Sequence, residues 1–263
     1  MRRYIKTNAK YVLKGNYLLA AGTLIIALLT FALASNIIKL TEAYLCKIPD
    51  IFSLSSFSFN IIISSWYALT FLVLTLLAGM VSFGIINWYQ RLALLGQTNV
   101  ANVFYWFKGI KNILKTTGIY INLQVRMLLW GALFFAPAVL YTLFAIYIVS
   151  GTEVEVFNLV IIFFIDIMLI LISLLIFLHF TGKYFLVPFL LNKHKTAKVS
   201  QLIRLSSVIM QDKKDDIFIF NISFLPLFFL CFLIIPAFYI LPYYLTGKTI
   251  YAEYFIKLND QTA

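Results

Sequence analysis

Four polar residues within or beside long apolar runs are the positions at which this sequence could do chemistry. Asp166 lies well inside an apolar run, where an ionised carboxylate costs roughly 2.5–3.5 kcal/mol on an insertion scale. It should therefore be neutral, paired, or exposed to a wet cavity in which it contacts an ion or a substrate. We favour a neutral or hydroxyl-paired contact between helices and keep the cavity as the alternative.

Arg126, His179 and Lys183 lie near the ends of apolar runs, and together they could form a polar collar at one mouth of a helix bundle. Long basic side chains also extend from such positions to lipid headgroups, which is the simpler explanation for Arg126 and Lys183. His179 could be a pH-sensitive contact, although a single histidine on an apolar helix more often packs structurally. The collar and Asp166 are the candidate transport residues.

The residue sets of the common intramembrane catalysts are missing. Zinc-dependent intramembrane proteolysis needs an H-E-x-x-H pair, and the only histidines are His179 and His194. Ser64 and Ser65 have no histidine nearby to act as the base that a serine nucleophile requires. A second intramembrane carboxylate and a glycine-rich phosphate loop are also missing, and Cys46 and Cys231 have no metal-ligand spacing. We therefore predict a protein that is not an enzyme and that has no cofactor and no catalytic or metal-binding residues.

The elements that position these residues are apolar helices separated by basic segments. The chain is 62% hydrophobic and only 12% charged, which is not the composition of a soluble domain. Five runs are long enough to cross about 30 Å of hydrocarbon, at approximately 17–40, 61–87, 127–149, 157–182 and 217–240. The predicted fold is all-α, a polytopic transmembrane helix bundle that forms a single integral membrane domain over residues 1–263. Pro226, Pro236 and Pro242 punctuate the last run and predict a kinked or re-entrant C-terminal segment.

The basic residues indicate the orientation of the bundle. Most of the 21 lysines and arginines fall in the three segments 2–14, 91–126 and 183–214. The connectors between them are neutral or acidic and contain Glu42, Asp50, Glu153 and Glu155. Basic loops stay on the cytoplasmic side of a membrane, so the pattern predicts a cytoplasmic N-terminus. It leaves open the side taken by the C-terminus.

Two of the basic segments have the spacing of amphipathic helices lying at the cytoplasmic membrane interface. In 101–118, helical spacing places Lys108, Lys111 and Lys115 on one stripe, opposite the apolar residues Val103, Trp106, Ile110, Ile113 and Leu114. That stripe could bind anionic lipid headgroups. The segment 198–211 similarly opposes Leu202 and Ile209 to Arg204 and Gln211. Structural packing across the inner mouth of the bundle is the alternative for both.

Short motifs along most of the chain are similar to those of one family. They are Ala9-Lys10, Leu13-Lys14-Gly15-Asn16, Tyr184-Phe185-Leu186-Val187-Pro188, Ser206-Ser207, Met210, Lys213-Lys214, Phe218, Phe220, Ser223-Phe224 and Pro242-Tyr243. The chain resembles the uncharacterised bacterial integral membrane proteins grouped as domain-of-unknown-function family 975. The resemblance implies a multi-pass bundle in a bacterial membrane and no known activity.

Three functions fit the sequence, all in a bacterial cytoplasmic (plasma) membrane. The first is a non-enzymatic accessory or scaffold component that acts through helix–helix and lipid contacts, with a membrane protein partner or as a homo-oligomer. The second is a small transporter or permease component with Asp166 lining a polar cavity, and the third is lipid binding through the Lys108 stripe. The net charge of +11 does not indicate nucleic acid, because the basic residues flank apolar spans and anionic lipid already attracts them.

Overall fold

The computed structural model describes residues 1–45, 47, 56–151 and 156–262, and these ranges contain helices and short turns. The long helices are α1 (Arg2–Leu13), α2 (Tyr17–Leu45), α3 (Ser56–Leu95), α4 (Ile110–Gly151), α5 (Val156–Thr181) and α10 (Ile234–Thr262). The shorter ones are α6 (Val187–Lys193), α7 (Val199–Ile209), α8 (Lys214–Ile222), α9 (Leu225–Leu230) and the 3-10 helices Val100–Phe107 and Gly182–Tyr184. Cys46, Asp50, Glu153 and Glu155, which belong to the predicted outer connectors, lie outside the described residues.

Four stretches of the described chain are long and apolar enough to cross a membrane. They are Tyr17–Leu45, Asn60–Leu95, Ile110–Ser150 and Phe157–Lys193. Four of the predicted runs, 17–40, 61–87, 127–149 and 157–182, lie within these stretches. The helices indicate a membrane-embedded, all-helical protein, in agreement with the predicted fold class.

The fifth predicted span, 217–240, is not a single helix. Its residues are divided among α8, α9 and the start of α10. Pro226 lies in the first turn of α9, and Pro236 lies in the first turn of α10. Proline has no N–H and clashes with the carbonyl four residues earlier, so a helix tolerates it best in its first turn, and elsewhere it kinks or interrupts the helix. Pro242, the third proline of the run, lies inside α10. The described chain therefore has four long apolar helices where the sequence predicted five spans.

The single amphipathic helix predicted over 101–118 does not form. Residues Val100–Phe107 form a 3-10 helix, and Gly109, with a φ of +90°, ends it before α4 begins. Val103 and Trp106 are buried, whereas Leu114 is exposed, so the apolar residues do not share one face. Lys108 lies in the turn and only Lys111 and Lys115 lie on α4.

The second predicted interfacial segment, 198–211, contains α7. Its residues Leu202, Ile203 and Ile209 are buried against the rest of the protein, and Arg204 is exposed. The helix packs on α6 and on the turn Gly182–Tyr184. Contact between α7 and a membrane surface stays a prediction.

Burial is concentrated at the end of the molecule that carries the basic segments. We call this region the basic core; it comprises α1, the second half of α3, the 3-10 helix Val100–Phe107, α6, α7, α8 and the C-terminal half of α10. Its largest buried side chains include Leu13, Trp88, Trp106, Leu190, Phe220 and Tyr251. Helix α10 packs along α1, so the chain ends beside its N-terminal helix.

The paired helices α4 and α5 have the opposite character. They pack extensively on each other, while large apolar side chains on both remain exposed, among them Leu128, Leu140, Phe164 and Ile172. Exposed apolar surface of this extent is expected where lipid or another membrane protein covers a helix. The molecule thus combines a densely packed basic core with an apolar helical pair.

Candidate functional site

Asp166 takes part in a hydrogen bond between the paired helices. The Oγ1 atom of Thr142 on α4 donates to Asp166 Oδ1 at 2.7 Å, and Asp166 is half-buried. Nearby, the Tyr141 hydroxyl donates to the carbonyl oxygen of Ile162 at 3.4 Å. The bond between Thr142 and Asp166 is the hydroxyl-paired contact that we favoured.

Two of the three predicted collar residues meet at Tyr184. The Nζ atom of Lys183 stands 4.4 Å from the ring centroid of Trp130 and 5.1 Å from that of Tyr184. The guanidinium carbon of Arg126 lies 6.0 Å from the Tyr184 centroid, and Trp130 Nε1 donates to the Tyr184 hydroxyl at 3.4 Å. Cations are attracted to the negative faces of such rings. We call Arg126, Trp130, Lys183 and Tyr184 the Tyr184 cluster.

His179 is separate from that cluster. Its Nδ1 atom lies 3.3 Å from Asp215 Oδ1, and its ring makes edge contacts with Phe180 and Phe218. Asp215 lies in the first turn of α8, where the helix dipole favours a negative charge. His179 therefore joins α5 to α8. Asp166 is about 20 Å of helix rise away from it, so the four candidate transport residues do not form one site.

The three lysines predicted to bind lipid also have different surroundings. Lys115 Nζ donates to the carbonyl oxygen of Lys195, and Lys195 Nζ in turn donates to the Tyr105 hydroxyl at 2.6 Å. Lys108 and Lys111 are exposed. Lys115 thus holds the connector after α6 against α4, and Lys195 links that connector to the 3-10 helix. The stripe is reduced to two exposed lysines.

A polar network in the basic core was missed by the sequence analysis. Gln90 Nε2 donates to Glu253 Oε1 and to the carbonyl oxygen of Phe189, and Asn192 Nδ2 donates to Gln90 Oε1 at 2.6 Å. The network links α3, α6 and α10, and an ion pair between Lys193 and Asp260 lies on the same two later helices. An amide such as Gln90 at the end of a long apolar run was the available signal, since buried amides need partners.

A cavity of about 340 Å³ lies between the basic core and the paired helices. Its walls are mainly apolar and come from α3, α4, α5, α6, α8 and α10, with Leu123, Met127 and Leu178 on the side of the paired helices. Asn221, Lys248 and Thr249 contribute polar groups from the other side, and no aspartate or glutamate is among the described residues that line it. Lys248 Nζ lies 5.3 Å from the Tyr244 ring centroid and 5.6 Å from that of Phe185.

A second, more open groove of about 480 Å³ runs along the paired helices. It is lined by Gln124, Met127, Leu128, Gly131, Ala132, Phe135 and Phe177. Small residues such as Gly131 and Ala132 permit close approach of a neighbouring helix.

The family of the chain follows from its match to a family model. The model described as "Protein of unknown function (DUF975)" matches residues 1–259. The chain belongs to this family. The resemblance seen in the short motifs is therefore confirmed, whereas no curated protein and no solved structure matches the chain.

Within this DUF975 member, the described residues include no group of three or more His, Cys, Asp or Glu side chains that could hold a metal ion. The side chains that the fold brings together at these sites are aromatic rings and basic groups. The Tyr184 cluster and Lys248 place positive charge beside rings and beside an apolar cavity, a combination suited to holding an anion with an apolar body.

Proposed function

We propose that this protein is a non-enzymatic, multi-pass component of the bacterial cytoplasmic membrane that serves as an accessory or scaffold subunit. Its N-terminus and basic core lie in the cytoplasm, and α4 and α5 associate with a membrane protein partner or with a second copy of the chain. The observation that carries the proposal is the exposed apolar surface of α4 and α5.

Helix α5 packs on α4 and makes smaller contacts with α8 and the turn Gly182–Tyr184. Its other faces present Phe163, Phe164, Leu171 and Ile172 to the surroundings. Because α5 makes few contacts with its own chain beyond α4, its remaining surface is available to pack against a helix of another protein. The groove beside Gly131 and Ala132 offers the close approach that helix association in lipid requires.

The transporter alternative has less support. It needs a wet cavity that reaches Asp166, but that carboxylate accepts a hydrogen bond from Thr142 between two helices. The cavities at the basic core and along the groove are lined by other residues.

Photo-crosslinking in native membranes tests the scaffold role. A photoreactive amino acid at Phe164 or Leu171 on α5 should give a discrete protein adduct at the native expression level. The same amino acid at Trp88, which is fully buried in the basic core, is the matched control and should give none. Adducts with lipid alone at both α5 positions would contradict the proposal.

Reconstitution into liposomes distinguishes the transporter alternative from the scaffold role. The purified chain should show no proton flux that depends on Asp166, as measured with an enclosed pH-sensitive dye. A flux that is present in the native chain and lost in Asp166→Asn would favour a transporter.

A further inference from the structure

The cavity lined by Lys248 has one apolar side and one polar side, which is the arrangement that an amphiphilic ligand requires. Leu123, Met127 and Leu178 form its wall on α4 and α5, which are helices long and apolar enough to cross a membrane. Asn221 and Lys248 line it from the basic core. One part of the cavity is therefore continuous with apolar surface, and the other offers polar groups.

Lys248 has no carboxylate partner among the described residues. It is half-buried, and its Nζ atom faces the rings of Phe185 and Tyr244. A partly buried ammonium group loses hydration that ring faces restore only in part, so an anion beside it would be stabilised.

Two further features favour an anion. The Oδ1 atom of Asn221 accepts a hydrogen bond from the Tyr244 hydroxyl at 3.0 Å, which leaves the amide N–H groups of Asn221 as donors. Tyr184, which also lines the cavity, has Lys183 and Arg126 at its ring. These cations add to the positive potential at the cavity, and no carboxylate in its lining offsets them.

We propose that this cavity binds the headgroup of an anionic lipid, with Lys248 Nζ and Asn221 Nδ2 as donors to its phosphate. The volume of about 340 Å³ is near the lower end of small-molecule sites. It therefore holds a headgroup and the beginning of one acyl chain, and the rest of the lipid passes over Leu123, Met127 and Leu178 towards the bilayer. This site is separate from the surface lysines 108 and 111 and does not depend on the scaffold role.

Native mass spectrometry of the full chain in detergent micelles tests the site. Phosphatidylglycerol and phosphatidylcholine with the same acyl chains are the lipid probes, and inorganic phosphate is the probe for a soluble anion. One phosphatidylglycerol per chain should survive mild activation that strips loosely bound lipid. Phosphatidylcholine should bind more weakly, and inorganic phosphate should neither be retained nor displace the lipid.

The charge variants form a matched set on one helix. Lys248→Gln should weaken phosphatidylglycerol binding about tenfold or more, because a charged hydrogen bond is lost. Lys248→Arg should retain most of the binding. Lys257→Gln removes an exposed lysine from the same helix and should leave the binding unchanged.

A steric variant keeps the test decisive if a charge variant fails to fold. Leu123→Trp fills the apolar part of the cavity and should abolish retention of the lipid while every cation remains. Monodisperse elution of each variant checks its fold; if Lys248→Gln does not fold, Lys248→Arg and Leu123→Trp decide. Equal binding of the two lipids, displacement by inorganic phosphate, or full binding by Leu123→Trp would each overturn the proposal.

Discussion

In the part of the chain that the structure describes, lysine and arginine side chains lie against aromatic rings and backbone carbonyls more often than against carboxylates. The chain has 21 lysines and arginines but only 10 aspartates and glutamates, and 17% of its residues are aromatic. Lys6 shows the result: its Nζ atom lies 4.5 Å from the Phe224 ring centroid and donates to the carbonyl oxygen of Ser223 at 3.2 Å. Burial, together with neighbouring Arg2 and Lys10, lowers the pKa of Lys6. Such contacts hold a basic segment against the protein without neutralising it.

At Asp166, we predict a stabilising interaction with Thr142. A double-mutant cycle of Thr142→Val and Asp166→Leu should give a coupling energy of about 0.5–1.5 kcal/mol, the range of hydrogen bonds between helices in membranes. Reversible unfolding in detergent measures it. A coupling energy of zero would mean that the bond at 2.7 Å makes no net contribution.

Gly84 lies where α3 meets the 3-10 helix Val100–Phe107. A Cβ atom at this position would lie 1.8 Å from the carbonyl oxygen of Val103, which is backbone and cannot move aside alone. We predict that Gly84→Ala destabilises the protein by about 3 kcal/mol, at the upper end for overpacking. Gly22→Ala is the control: nothing lies within 4 Å of its added Cβ, so its thermal unfolding temperature should be unchanged or higher.

Tyr251 gives a prediction about alkaline pH. Its hydroxyl oxygen is buried without a hydrogen-bond partner among the described residues, and burial raises the pKa of Tyr251 to about 12. Because its pKa is raised in the folded state, the contribution of Tyr251 to stability is fully present below the unfolded pKa of about 10. This contribution is lost as pH rises towards the folded value. Tyr251→Phe should match or exceed the native stability at pH 7.

The same variant should lose less stability than the native chain between pH 10 and 12. Circular dichroism during chemical unfolding at each pH compares the two. A native-like loss in Tyr251→Phe would assign the alkaline transition to other groups.

At the scale of elements, prolines divide the last apolar run into short helices, and the chain then continues as α10. Helix α10 packs along α1, and residues Tyr251, Ala252, Phe255 and Ile256 are buried in the basic core. If the N-terminus is cytoplasmic, as the basic segments predict, the C-terminus must be cytoplasmic too.

Cysteine labelling in oriented membrane vesicles tests this topology. In a Cys46→Ser and Cys231→Ser background, Lys10→Cys and Lys257→Cys should react with an impermeant maleimide only in inside-out vesicles. Ala43→Cys, near the end of α2, should react only in right-side-out vesicles. All three positions are exposed. Opposite labelling of Lys10→Cys and Lys257→Cys would contradict the packing of α10 on α1.

At the scale of the whole molecule, the C-terminal half of α10 completes the basic core. A chain that ends at Ile250 loses three large buried side chains, Tyr251, Phe255 and Ile256. Each contributes about 1.5–3 kcal/mol, and their sum approaches the total stability of a typical domain. We predict that this chain is aggregated on size-exclusion chromatography and is rapidly cleaved by protease.

A chain that ends at Asn259 is the matched control for that truncation. It loses the partly exposed ion pair between Lys193 and Asp260, which is worth below about 1 kcal/mol. It should elute as the native protein does. Native-like behaviour of the chain that ends at Ile250 would show that the core is complete without the residues of α10 that follow Ile250.

The sequence by itself determined the all-helical class, the family and four of the five long apolar helices that it predicted; for Asp166 it only favoured a hydroxyl contact and did not name Thr142. Apolar run length and residue type are local properties, and the need to satisfy backbone groups in lipid converts them directly into helices. The prolines of the last run also predicted its interruption, but only the tertiary structure decided that this run divides among three helices and that Gly109 separates the 3-10 helix from α4. It also decided that α10 lies beside α1, that Arg126 and Lys183 share Tyr184 while His179 pairs with Asp215, and that Lys248 lines a cavity. These depend on contacts between residues far apart in the chain, which hydropathy and spacing along one segment do not record.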